Sequence, residues 1–292
     1  MSKLKEISVA EHYWRHPDLM GFSGSNILVQ TVREAVENSL DACEAAGIPP
    51  NVVIRLRQLD ESKWRVVVRD NGPGIPPKDA VVAFGRFLTS TKYTLKQHRG
   101  LFGLGFKGAV LTAQRYTQEP LEVITKTEAM RRAVRLKLMI DISENKPRLV
   151  SKEEVDVKWQ SGLEVRLTTV GPPESQVFIV IKGRLFKYLR LLGIVSPHAD
   201  IRISVRLRDG REFGEHFKRA TRRMPRPPQE TKPHPRGIDA EMLKRMLRHA
   251  RESRRKADGR TGEPRQLKLS EFLCEYFQSC LLYTSPSPRD RG

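Results

Sequence analysis

The stretch Glu34-Ala35-Val36-Glu37-Asn38-Ser39-Leu40-Asp41 decides how this 292-residue chain is read. It lies inside a helical pattern predicted from about Asn26 to Ala46. On a 3.6-residue period Val32, Val36, Leu40 and Cys43 share one side, with Leu28 close by. Glu34, Asn38 and Asp41 share the other side, within roughly 60° of one another at about 100° per residue. Ser25 or Asn26 can cap the start, because a short side-chain oxygen accepts from first-turn N–H groups that have no helical partner. Gly47, with Pro49 and Pro50 behind it, ends the helix. The pattern thus predicts an amphipathic helix with two carboxylates and an amide on its non-core face. Alone, such a face is an ordinary solvated one. Its meaning depends on the residues downstream of it.

Two apolar, β-branched runs come next, Val52–Leu56 and Trp64–Val68, predicted as strands joined by a polar turn at Asp60-Glu61-Ser62. The second ends in Asp70-Asn71-Gly72-Pro73-Gly74-Ile75. Asp and Asn favour tight local turns, and the glycines remove the Cβ that limits backbone approach. A carboxylate at a strand end, beside a backbone that can come close to a flat ring, is suited to accept from an exocyclic amine. A helix over about Lys78–Phe87 and the polar run Thr89-Ser90-Thr91-Lys92-Tyr93 follow. Then comes Gly100-Leu101-Phe102-Gly103-Leu104-Gly105-Phe106-Lys107-Gly108, which opens into an apolar helix, Ala109–Gln114. A glycine-rich loop entering a helix offers several N–H groups at a positive dipole end, which suits phosphate, and Lys107 adds a charge. Its GxxGxG spacing comes after a loop rather than a strand. It matches neither the dinucleotide fingerprint nor a Walker A loop.

Residues 120–170 read as strands over Leu121–Lys126, Ala133–Ile140, Val155–Trp159 and Leu163–Leu167. Glu174–Leu192 reads as a helix, and Ile201–Leu207 with Arg211–Phe217 as a hairpin about Asp209-Gly210. Arg222–Pro235 is a Pro- and Arg-rich linker, Ile238–Arg251 a helix, 252–265 a basic loop, and Leu269–Phe277 the start of another helix.

The net charge of +19 is unevenly spread. Residues 1–180 hold 26 Lys and Arg against 21 Asp and Glu, whereas 181–270 hold 25 against 10. A basic block of that size points to nucleic acid or another polyanion. A 38% hydrophobic content excludes general disorder. Cys43, Cys274 and Cys280 lack metal-ligand spacing and read as reduced thiols of a cytoplasmic protein. No apolar run approaches the roughly 18 residues that span a bilayer, so no membrane association is expected.

A helix with ExxxN, a strand-end DNGPGI and a GxxGxG loop entering a helix, in this order, resemble the Bergerat ATP-binding superfamily. Ser8-Val9-Ala10-Glu11, Gly21-Phe22, Glu34–Ala42, Phe84-Gly85-Arg86, Arg99–Lys107 and Ala109-Val110-Leu111 narrow the resemblance to the B subunits of type IIB topoisomerases (DNA topoisomerase VI). Lys232–Asp239 resembles the entry to the helix-two-turns-helix insert of those subunits.

The resemblance implies an α/β (α+β) two-layer sandwich of the Bergerat type over 1–228, followed by a small helix-two-turns-helix module over 229–280. The remainder, 281–292, has the look of a non-native tail on a truncated product. The resemblance further implies ATP and Mg²⁺ as cofactors, with Glu34 as general base and Asn38 as Mg²⁺ ligand backed by Asp41. Asp70 would accept from the adenine amine, with Gly74 giving the ring room. Thr91 and Lys92 would reach the nucleotide from a lid. Gly100, Leu101, Phe102, Gly103, Leu104, Gly105, Phe106 and Lys107 would cradle the phosphates. Implied partners are double-stranded DNA, a DNA-cleaving A subunit in an A2B2 heterotetramer, and a second B subunit on ATP binding, in a cytoplasmic, nucleoid-associated setting. Two departures stand out. Leu163 follows Gly162 where the superfamily usually has Thr, and the lysine that a downstream transducer domain supplies is not within this chain. The alternative is a nucleotide-gated, chaperone-like clamp of the same fold without topoisomerase action.

Overall fold

The computed structural model describes residues 7–88, 104–226, 232–257 and 268–277. These fall into two compact units. The first unit contains α1 (Val9–Arg15), α2 (Asn26–Ala45), β1 (Asn51–Gln58), β2 (Lys63–Arg69), α3 (Pro77–Gly85) and α4 (Gly105–Thr117). It continues with β3 (Leu121–Lys126), β4 (Ala133–Asp141), β5 (Lys146–Val155), β6 (Gly162–Val170), α5 (Lys187–Val195), β7 (Asp200–Arg206) and β8 (Glu212–Phe217).

The eight strands form one sheet in the order β5-β4-β3-β6-β2-β1-β7-β8. Every pairing is antiparallel except that of β1 with β7. Alternation decides which face is covered. Val52, Ile54 and Leu56 of β1, and Trp64, Val66 and Val68 of β2, all point inward and are buried. Each such side chain contributes about 1.5–3 kcal/mol on leaving water. Helices α2, α3, α4 and α5 pack on that face alone, which gives the expected two-layer α/β sandwich.

Helix α2 ends as the pattern predicts. Gly47 takes φ +68° and donates to the Glu44 carbonyl, while Ile48 N donates to the Cys43 carbonyl. That paired closure satisfies two carbonyls that the helix leaves orphaned. Its start differs from expectation. Ser25 occupies the cap position without a capping hydrogen bond, and Asn26 Nδ2 donates instead to the Gly21 carbonyl at 3.0 Å.

Three further expectations are corrected. Val155–Trp159 is not a strand; the strand there is β5, Lys146–Val155. It is a sheet-edge strand with most side chains in solvent, so its charged sequence carries no apolar alternation. Glu174–Leu192 is helical in three pieces. A 3₁₀ turn leads into a π-helical stretch, Phe178–Phe186, before α5. Finally, the basic segment after Arg251 continues as helix to Ala257.

The second unit contains α6 (Ala240–Ala257) and α7 (Leu269–Tyr276) around a small cluster of Ala250, Phe272 and Phe277. Lys232 Nζ donates to the Cys274 carbonyl at 2.6 Å within it.

Candidate functional site

Helix α2 is the spine on which the site is built. Val32, Val36, Leu40 and Cys43 are fully buried as predicted. The opposite side is not an open solvated face, however: α4 and the π-helical stretch flank the helix. Glu34 and Asn38 are half-buried, and Asp41 is buried.

The Glu34 carboxylate lies directly against Gly105, the first residue of α4. A Cβ on Gly105 would fall 1.8 Å from Glu34 Oε2, so any side chain there would displace the carboxylate. The carboxylate therefore sits at a helix start, where the positive dipole end favours an anion. Gln30 Nε2 donates to it at 2.8 Å. Burial, reinforced by the charge of Glu37, holds its pKa above the usual carboxylate range, while Arg33 and the Gln30 bond pull the other way.

The strand-end corner is fixed to the same helix further along. Asp70, 5% exposed, accepts on Oδ1 from Gly72 N at 2.9 Å and from Leu163 N at 3.2 Å. The Ser39 hydroxyl, next to Asn38, donates to it as well. Burial pushes the Asp70 carboxyl up to about 6, against the downward pull of those bonds. A carboxylate offers about four acceptor positions. Among the described residues donors fill three of them, which leaves one for a further donor. Asn71 secures the corner from its other side, accepting from Asn51 N at 2.7 Å and donating to the Pro49 carbonyl at 3.2 Å.

The glycines of the corner are needed where they stand. Gly74 has φ +70°, and a Cβ there would come within 2.3 Å of the Lys126 carbonyl oxygen. Gly162 has φ +139°, with a Cβ position 2.4 Å from the Asp70 carbonyl oxygen. The absent threonine after Gly162 is not replaced at Leu163, whose N–H serves Asp70. The hydroxyl of Thr125, directly across from Leu163 on β3, holds the corner instead. It accepts from Ile75 N at 2.9 Å and donates to the Ile75 carbonyl at 2.7 Å.

Of the glycine-loop residues, Leu104, Gly105, Phe106 and Lys107 are described. Leu104 and Gly105 are half-buried, while Phe106 is buried edge-on against the Phe84 ring. Lys107 is 5% exposed, and burial lowers its ammonium to about 8. Thr91, Lys92, Gly100, Leu101, Phe102 and Gly103 lie outside the described residues.

Glu34, Asn38 and Asp41 thus stand on one helix, with Gly105 against Glu34 and Asp70 bonded to Ser39, while Gly74 packs against Lys126 and Gly162. Sequence reasoning missed Ser39, Thr125 and the Leu163 N–H. A serine inside a helix, one residue from Asn38, was a signal for the first. The other two are set by strand register, which no motif displays. Among the described residues no group of three or more His, Cys, Asp or Glu side chains could hold a metal ion. No helix among them is long and apolar enough to cross a membrane.

Residues 24–143 match the family described as histidine kinase-, DNA gyrase B- and HSP90-like ATPases, and the chain carries an ATPase domain of that class. Over 95% of its length it is similar to proteins named as the B subunit of type 2 DNA topoisomerase 6. Identity is 37% for that of Saccharolobus solfataricus, and 36% for those of Saccharolobus islandicus and Saccharolobus shibatae. The chain spans 49% of the length of each of these three relatives.

Proposed function

We propose that the chain binds ATP with Mg²⁺ and hydrolyses it as the gate-closing half of a type IIB DNA topoisomerase. The observation that carries this reading is the convergence on α2. Glu34 touches the first residue of α4, and Asp70 is bonded to Ser39 on the same helix.

The residues present suit such a ligand. The remaining acceptor position of Asp70 matches the adenine amine, with Gly74 keeping side chains away from the ring. Glu34 acts as general base on the attacking water; a carboxylate whose pKa is raised toward the working pH is a stronger base. Asn38, one turn on, ligates Mg²⁺ through its amide oxygen, with Asp41 behind it. A hard, strongly hydrated cation needs only one or two protein oxygens beside substrate phosphates and water. Bound Mg²⁺ would supply charge neutralisation at the phosphates. Backbone N–H groups through Gly105, with Lys107, receive those phosphates, and Thr91 and Lys92 would contact the nucleotide from the lid.

At the level of the assembly, ATP closes two B subunits around a duplex while a separate A subunit cuts another, as an A2B2 heterotetramer in the nucleoid. Residues 1–228 would be the ATP-binding domain, and 229–280 part of a helix-two-turns-helix module. The names of the relatives and the excess of basic residues in 181–270 support this reading.

The test is calorimetric titration with Mg-ATP beside a turnover assay. Wild type binds saturably, and Glu34→Gln binds with similar affinity but loses turnover by about 10²–10⁴-fold. Absence of saturable binding overturns the proposal. Co-purification with a topoisomerase A subunit separates it from a chaperone-like clamp.

A further inference from the structure

The side of the sheet away from the helices carries a feature that the charge count along the chain conceals. Arg57 of β1 is paired in register with Arg65 of β2 on one side and with Arg206 of β7 on the other. Three guanidinium-bearing residues therefore stand in a direct cross-strand row, about 4.8 Å from strand to strand. Two residues along the strands the next row holds Arg166 and Arg55, and the one after it Arg69 and Arg202.

Like charges directly opposite one another destabilise a sheet. The carboxylates present offset this only in part. Glu164 bonds Arg55 and Arg166, Glu119 and Glu122 lie beside Arg65, and Glu212 and Asp200 pair with Arg206 and Arg202. Arg57, in the centre, has no carboxylate within ion-pair distance among the described residues. Among the described residues no helix of the first unit covers this face, and the arginine side chains are between 32% and 60% exposed where they form ion pairs.

We propose that this open arginine face is a docking surface for the phosphate backbone of double-stranded nucleic acid. Neighbouring positions about 4.8 Å apart within a row, and rows about 6.7 Å apart along the strands, form a grid of cations interrupted at Val67 and Val53. A duplex carries about one phosphate per 1.7 Å of axis and is the partner whose charge density matches it. Guanidinium groups take phosphate oxygens two at a time, and those paired with exposed carboxylates such as Glu119 and Glu212 exchange them readily. The three rows contain no Phe, Tyr or Trp. Single strands bind by stacking bases on aromatic rings, so the surface suits a duplex and reads no sequence. The proposal rests on the duplex-binding part of the reading above and assigns it a surface outside the basic 181–270 block for most of its residues.

The test measures anisotropy of a labelled random-sequence duplex on the full chain across a salt series. Arg57→Gln with Arg206→Gln is expected to weaken binding about tenfold and to reduce the slope of log K against log salt by about 2. Mg-ATP affinity should be unchanged and the melting temperature not lowered, since removing Arg57 relieves like-charge repulsion. A second variant, Lys244→Gln with Arg248→Gln on α6, probes the basic block separately. Duplex affinity and slope unchanged in the sheet variant but lost in the α6 variant overturn the sheet-face proposal and leave duplex binding intact. A wild-type chain that does not bind duplex overturns both. A single strand bound more tightly than a duplex overturns the assignment of the partner.

Discussion

The two faces of the sheet use charge in opposite ways. On the covered face charged groups are few, buried and individually tuned. Burial drives Asp70 up to about 6 and Lys107 down to about 8, and three protein donors fix the Asp70 carboxylate. On the open face they are many and, apart from buried Glu164, largely solvated. Their pairs there are worth about 0–1 kcal/mol each, and their effect is collective. A buried site is thus broken by one atom in the wrong place, whereas an exposed field is only weakened charge by charge.

The largest expected effect that would break this contrast lies at Gly105. A Gly105→Ala methyl would occupy the position of the Glu34 carboxylate. Turnover should fall at least as far as in Glu34→Gln, by about 10²-fold or more, while circular dichroism stays native. Full turnover in Gly105→Ala would show that Glu34 is free to act from elsewhere.

Next in size is Gly162→Ala. Its φ of +139° and the Asp70 carbonyl at 2.4 Å leave no room for a methyl. Denaturant melts should show a loss of about 3 kcal/mol.

The pH dependence sharpens the contrast further. A carboxyl with a raised folded pKa binds more protons folded than unfolded. Its contribution to stability is full below the unfolded pKa and is lost as pH rises through about 6. Nucleotide affinity should run the other way. It falls as pH drops below about 6, where Asp70 is protonated, and falls again above about 8, where Lys107 loses its charge. Calorimetry across that range checks both limbs. Duplex binding at the open face, carried by arginines, should show neither limb.

The smallest effects belong to isolated contacts. Tyr188→Phe removes the 2.7 Å bond to Glu37 and should cost about 1 kcal/mol of stability, read from urea melts.

Much of the covered face was legible in the sequence, because its signals are local. The 3.6-residue spacing of Val32, Val36 and Leu40 gave α2, and the Asp-Asn-Gly corner gave the end of β2. Gly105 and Gly74 were visible as glycines, although the atoms they lie against, Glu34 Oε2 and the Lys126 carbonyl, were not. What depended on pairing stayed hidden. The Leu163 N–H reaches Asp70 only through the β2–β6 register, and Thr125 faces Leu163 only through β3–β6. Arg57, Arg65 and Arg206 are scattered along the chain and become neighbours only when three strands align. Edge strand β5 escaped because most of its side chains lie in solvent, which erases the alternation that marks a strand. The π-helical stretch escaped because its apolar residues do not follow a 3.6-residue period.

The most direct measurement is a parallel titration of wild type and Asp70→Asn with Mg-ATP at neutral pH. The asparagine keeps an oxygen for Gly72 N and Leu163 N but removes the charge that accepts the adenine amine. Affinity should fall about 10–100-fold, from the loss of one charge-assisted hydrogen bond, while the melting temperature holds or rises as the buried charge is relieved. Equal affinity in the two proteins, in a well-folded variant, would contradict a nucleotide site built around α2 and this corner.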